Sequence, residues 1–158
     1  MVVDHNDGLK ARASAEMLDA IVVANQGQRG LSGARNTGIE VASGEIVAFI
    51  DDDATADRDW LAKLSAAFDS PDVAGAGGLV VPDWWAERPR WFPEEFDCVV
   101  GCSYRGMPTS RPSIRTPLGC NEALRREVCA AHGAVRSYPG RRGGVPVARA
   151  WRSAERGA

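Results

Sequence analysis

Residues Glu45 to Ile50 read EIVAFI, a nearly continuous apolar run, whereas Trp60, Leu61, Leu64, Ala67 and Phe68 recur at i, i+1, i+4, i+7 and i+8. The run predicts a strand buried on both faces of a parallel sheet, and the recurrence predicts an amphipathic helix. The alternation extends both ways along the chain. Upstream, MVVD predicts the tail of a strand, Gly8 to Leu18 a helix, and AIVVAN (Ala20 to Asn25) a short apolar strand. Ser32 is expected to cap a helix reaching to Ser43, with Gly44 as its stop signal. Downstream, GAGGLVVP and CVVGCSY predict further strands. GCNEALRREVCAAH predicts a helix with Asn121 near its N-cap and Ala123, Leu124, Val128 and Ala131 on its apolar side. Strand and helix in turn predict an α/β domain with a mostly parallel sheet, in which ligands sit outside the carboxyl ends of the strands.

Two regions break this texture. PDWWAERPRWFPEEF, from Pro82 to Phe96, holds three tryptophans, two phenylalanines and three prolines. It predicts an ordered loop, read either as a lid packed on the core or as the aromatic wall of a ligand cleft. From Ala134 to Ala158 there are six arginines, one acid and no sustained periodicity. The expected organisation is therefore a folded domain over residues 1–130 and an irregular, disordered tail over 131–158.

With 158 residues, 44% of them hydrophobic, the chain suffices for one domain with a real core. A formal net charge of −2 argues against a nucleic-acid binder that works by neutralising phosphates. No apolar run reaches the roughly 18 residues of a membrane-crossing helix, and the first residues lack the pattern of a signal peptide. The default expectation is a cytoplasmic protein. Cys98, Cys102, Cys120 and Cys129 are spaced C-x3-C and then C-x8-C, which is not a paired zinc-knuckle pattern. They are expected to be buried thiols, with zinc ligation and disulfides as the alternatives.

The chemistry concentrates in GEIVAFIDDDATAD, residues Gly44 to Asp57, where the apolar run meets Asp51, Asp52 and Asp53. Two carboxylates about 5 Å apart repel by roughly 3 kcal/mol at an effective dielectric near 20. They must either point apart into solvent or share a cation. An Asp-x-Asp pair at a strand end holds a hard divalent ion through one or two carboxylates and leaves positions for phosphate oxygens and water. The alternative is an acidic turn in which Asp57 or Asp59 favours the following helix N-terminus. Just upstream, GLSGARNTGIEVASGE places Gly30 and Gly33 before a helix whose first N–H groups can meet an anion. Arg35 adds a planar donor fork suited to phosphate or base edges. Here too a plainer alternative stands, a glycine-rich turn with a solvated arginine.

RGLSGARNTGIEVASGEIVAFIDDDA followed by DWLAKL resembles the central nucleotide-binding region of family 2 glycosyltransferases, which have the GT-A fold. LGCNEALRREV resembles a later segment of that family, with a Gly-x-Asn and a helix carrying paired basic residues. The resemblance covers roughly Val2 to Val128. It implies a Rossmann-like fold and inverting transfer of a sugar from a nucleotide-diphosphate donor, with manganese or magnesium as cofactor. The acceptor is an unspecified sugar, lipid or protein. By position, Asp51 and Asp53 would hold the metal, and Asp4, Arg35, Asp51 and Asp52 the nucleotide sugar. His5 stands where the family often has a second Asp. Trp84, Trp85 and Trp91 would belong to the donor–acceptor cleft. Members often work at the inner membrane face, which makes a peripheral location there the variant of the cytoplasmic expectation.

Two departures shape the functional expectation. The family begins with a strand and helix ahead of this chain's first residue, so the fold is expected to be incomplete at the N-terminus. The family also has an acidic pair after the Gly-x-Asn helix, one member of which deprotonates the acceptor. Here Glu155 is the sole acid after Val128. The change of texture, rich in arginine and glycine, fits a shifted reading frame in a GC-rich gene. General-base catalysis contributes about 10²–10⁴-fold. The alternative to an active transferase is therefore a remnant that binds nucleotide sugar without turnover. A third reading takes Asp51, Asp53 and Thr55 as the Asp-x-Asp-x-Thr of a haloacid-dehalogenase-like phosphatase. That class needs a downstream lysine and another acidic pair, and only Lys63 follows.

Overall fold

The computed structural model describes residues 2–3, 5–107, 118–132 and 148–150. They belong to two compact units, Met1–Val47 with Arg125–Gly143, and Ala48–Leu124 with Gly144–Ala158.

In the first unit, β1 (Val2–Val3) and β2 (Val23–Ala24) pair in parallel, in the register Val2↔Val23 and Val3↔Ala24. The helix α1 (Asp7–Glu16) connects them, as parallel neighbours require. Asn6 caps α1, its Oδ1 accepting the Leu9 N–H at 2.9 Å. The strand expected over Ala20 to Asn25 shrinks to two residues. Asn25 N–H still donates to the Val3 carbonyl of β1 at 2.8 Å, while its side chain builds the next turn: Nδ2 donates to the Gln28 carbonyl at 2.8 Å, and Oδ1 accepts from Gly27 N–H and Thr37 Oγ1 at 2.8 and 3.0 Å. Asn25 and Thr37 are buried, and these bonds satisfy them.

That turn leads into α2 (Leu31–Val41). Its N-cap is Gly30, not Ser32, at φ 110°, a backbone region that glycine enters without a Cβ penalty. At Gly33 a Cβ would collide with the Gln28 carbonyl, so the turn closes on the helix because this residue is glycine. This unit also holds the start of β3 (Ile46–Ile50) and α4 (Arg126–His132). Arg126 fixes the chain before β3, its N–H donating to the Glu45 carbonyl at 2.8 Å and its Nε to the Gly44 carbonyl at 2.9 Å.

The second unit contains the rest of β3, β4 (Thr55–Ala56), α3 (Trp60–Ser65), β5 (Gly75–Gly77), β6 (Val80–Pro82), most of β7 (Asn121–Arg125) and β8 (Ala148–Ala150). The helical stripe is present, with Trp60, Leu64 and Phe68 buried. The helix tightens into a 3-10 turn over Ala66–Asp69, and Leu61 faces solvent. Strand order is β3-β7-β5 in one sheet and β4-β8-β6 in another. β5 pairs with β7 antiparallel; β8 runs parallel to β4 and antiparallel to β6. Parallel pairing is thus a small part of the fold. β3 is correspondingly less enclosed than a strand covered on both faces, with Val47 buried but Ile50 42% exposed.

Two further expectations are corrected. CVVGCSY is not a strand: a 3-10 helix runs from Glu94 to Val100. Asn121 is not near a helix N-cap either; it opens β7, and α4 begins only at Arg126. The expectation of an irregular tail falls mostly outside the described residues, and within them Ala148–Ala150 form β8.

Cys102 and Val80 form the buried centre of the second unit, with Val100, Leu118 and Cys120 packed against them. All four cysteines are thiols; Cys102 and Cys129 are buried, Cys120 is half-buried and Cys98 exposed. Burial, reinforced by Cys120 and Asp97, pushes the Cys102 thiol up to about 12. Since the thiolate is the nucleophile, iodoacetamide at about pH 8 is expected to label Cys98 on the native protein and Cys102 only after unfolding. Peptide mapping by mass spectrometry checks this; native labelling of Cys102 at the rate of Cys98 would contradict it.

Candidate donor site

β3 ends at Ile50, and the Asp51 carbonyl accepts the Ala54 N–H at 3.1 Å. The aspartate triplet is therefore a β-turn, with Asp52 and Asp53 as its two central residues. Short polar side chains suit such positions because they tolerate the turn backbone. Asp51 is half-buried, while Asp52 and Asp53 are exposed.

The neighbouring acids have local duties. Asp57 Oδ1 accepts the Arg58 N–H at 2.6 Å, and its carbonyl accepts the Trp60 N–H at 3.1 Å. Asp59 occupies the N-cap of α3, but its carboxylate turns to Lys63 at 2.6 Å instead of capping the helix. The Lys63 hydrogen bond holds that carboxyl below its ordinary value. Asp57 and Asp59 thus serve the start of α3, while the turn Asp51–Asp53 presents carboxylates beyond the end of β3.

What steadies this segment escaped the sequence analysis. Trp60 Nε1 donates to Asn121 Oδ1 at 2.8 Å, and Asn121 Nδ2 donates to the Leu79 carbonyl at 3.1 Å. The Asn121 carbonyl also accepts the Gly78 N–H at 3.2 Å. Asn121 is fully buried, so one amide ties the first residue of α3 to the β5–β6 segment and to β7. Gly78 lies flat against it, since a Cβ there would press on Asn121 Nδ2. The Gly-x-Asn of the sequence carried the signal, but as a buried amide and not as a cap.

The proposed nucleotide-sugar residues are distributed over the chain. Asp51, Asp52 and Asp53 share the turn in the second unit. Arg35 is half-buried in the second turn of α2, in the first unit. Asp4 lies outside the described residues. His5, beside it, adopts a left-handed backbone at φ 51°, where His is enriched among non-glycine residues.

Among the described residues, no three His, Cys, Asp or Glu side chains converge as a ready metal cage. The turn offers a smaller set of hard carboxylate oxygens two residues apart. Such a set fits an ion of the magnesium type, which keeps its waters and completes its shell with substrate phosphates.

The family profile described as Glycosyl transferase family 2 matches residues 2–133. The chain belongs to this family. Its helices and mixed sheets fit the GT-A fold, with a small parallel part, and the phosphatase reading falls away. The chain is 38% identical over 147 residues to the glucosyl-dolichyl phosphate glucuronosyltransferase of Haloferax volcanii, covering 90% of this chain and 47% of that protein. It is 29% identical over 139 residues to the succinoglycan biosynthesis protein ExoM of Rhizobium meliloti, covering 84% of this chain and 43% of that protein. It thus spans less than half the length of these two curated relatives. No solved structure matches. Family 2 glycosyltransferases pass a sugar from a donor to an acceptor, and the family commonly uses divalent metals. No helix among the described residues is long and apolar enough to cross a membrane.

Proposed function

We propose that this chain binds a nucleotide-diphosphate sugar through a manganese or magnesium ion and serves inverting transfer of the sugar to an acceptor. The observation that carries the reading is the β-turn closed by Asp51 and Ala54, which gathers three carboxylates at the end of β3. Asp51 and Asp53 hold the ion; Asp4, Arg35, Asp51 and Asp52 hold the nucleotide sugar. When bound, the ion supplies the charge that neutralises the diphosphate leaving group. In the transfer, the C1–O bond to the diphosphate breaks as the acceptor oxygen forms its bond on the opposite face. The acceptor proton passes to a base. The reading takes a lipid-linked sugar as acceptor, in keeping with the name of the Haloferax volcanii relative, and takes the work to be peripheral at the inner membrane face.

A second reading, donor binding without efficient transfer, is favoured by one feature: Glu155 is the sole acid after Val128. Both readings require the donor site. Calorimetry with uridine- and guanosine-diphosphate sugars in the presence of manganese is expected to show binding of one of them by the wild-type chain. Asp53→Ala is expected to weaken it by at least about tenfold, or 1.4 kcal/mol, and chelation of the metal to do the same. If neither donor binds, or if Asp53→Ala leaves affinity unchanged, the donor site is not at this turn.

A further inference from the structure

The loop after β6 displays aromatic rings beyond the residues proposed to hold the donor and its ion. Phe92 is its hub: Trp84, Trp91 and Phe96 meet it edge-to-face, with ring centroids at 5.6, 5.7 and 6.4 Å. Trp91 and Phe96 are nonetheless 80% and 55% exposed. These rings stand on a braced element. Arg88 forks onto the buried Asp97 carboxylate at 2.7 and 2.8 Å, donates to the Phe92 carbonyl at 3.3 Å, and lies over the Trp84 ring at 5.2 Å. Large rings held outward on a fixed support form an apolar patch of the kind that marks binding surfaces.

The charges around the patch narrow its occupant. From Asp83 to Arg105 there are five acids, three arginines and no lysine. Arg88 is committed to Asp97, and Arg105 pairs with both Glu94 and Glu95. An anionic lipid surface selects a basic rim, which this is not. A second copy packed on the same face would bring like carboxylates together. A neutral sugar meets neither objection: its C–H face packs on an aromatic ring, and its hydroxyls donate to carboxylates.

We propose that the exposed ring of Trp91, braced edge-on by Phe92, which Phe96 also meets edge-on, is a stacking platform for a neutral saccharide, with Glu87, Glu94 and Glu95 as rim acceptors for its hydroxyls. The proposal rests on the glycosyl-transfer reading and assigns the platform to the sugar portion of the acceptor.

The test is ligand-observed NMR and calorimetry of the full chain with cellobiose and lactose, without donor. Saturation transfer to the ring protons of at least one disaccharide is expected. Trp91→Ala should weaken that binding about tenfold, and Trp91→Phe, which keeps an aromatic face, should retain most of it. Unchanged far-UV circular dichroism of Trp91→Ala shows that the fold is intact, and donor binding by the wild-type chain in the same preparation shows that the donor site is intact, so a platform failure is distinguishable from a donor-site failure. Absence of binding by either sugar, equal affinity in Trp91→Ala, or Trp91-dependent flotation with phosphatidylcholine vesicles in place of sugar binding overturns the proposal.

Discussion

Arg88→Ala is expected to destabilise the chain by about 3–5 kcal/mol, the cost of leaving a buried charge without its partner. Asp97 is only 4% exposed, and its two oxygens are met by the two Nη atoms of Arg88. Removing the guanidinium also frees the Phe92 carbonyl and uncovers Trp84. Arg88→Lys should recover part of the loss, since an ammonium carries the charge but cannot form the fork. Asp97→Ala in the Arg88→Ala background should restore stability, because the orphaned charge is then gone. Urea unfolding followed by tryptophan fluorescence measures all four chains. A shift of less than about 1 kcal/mol for Arg88→Ala, the worth of an exposed pair, would show that water enters the site and the pair does not hold the loop. The carboxylate beside Arg88 also raises the guanidinium above its ordinary value, so no working pH removes its charge.

That pair marks where the sequence stopped being informative. β3 was legible as a continuous apolar run, the stripe of α3 as a helical period, and the aspartate turn because charge follows the apolar run. Arg88 and Asp97 are nine residues apart across two prolines, a separation no period predicts. Trp60 and Asn121 are 61 residues apart, and the buried bond between them exists only in the folded chain. NEALR read as the start of a helix because Ala123 and Leu124 share an apolar side with Val128 and Ala131, yet Asn121–Arg125 is β7, paired with Gly75–Gly77 of β5. Nonlocal pairing overrode local preference there. CVVGCSY erred the other way. Its β-branched residues suggest a strand, but Pro93 and three acids in the first turn favour a helical start. Of the candidate site, the triplet itself was readable; Asn121, which steadies the following helix, was seen but given the wrong role.

The largest expected functional effect concerns the acceptor proton. The 158-residue chain by itself is expected to bind donor yet transfer sugar about 10²–10⁴-fold more slowly than general-base catalysis allows. The pH profile distinguishes this from a merely weak enzyme. A carboxylate base of ordinary value, about 4.3, is fully ionised near neutrality, so transfer that uses one is flat from about pH 6.5 to 9. Without such a base, deprotonation falls to hydroxide, and the rate climbs about tenfold per pH unit over the same range. The measurement is nucleoside-diphosphate release at saturating donor and manganese with a glycoside acceptor, set beside calorimetric donor binding at each pH. Binding without fast release, and a rate that rises with pH, supports the donor-binding reading. A flat profile with turnover of about 1 s⁻¹ or more, within the ordinary enzymatic range, would show that this chain supplies a base that its acid-poor residues after Val128 do not suggest. Glu155→Gln then becomes the deciding variant. Loss of the flat profile assigns the base to Glu155, and its survival places the base among acids ahead of Val128, where Asp51, Asp52 and Asp53 already face the diphosphate in the proposed arrangement.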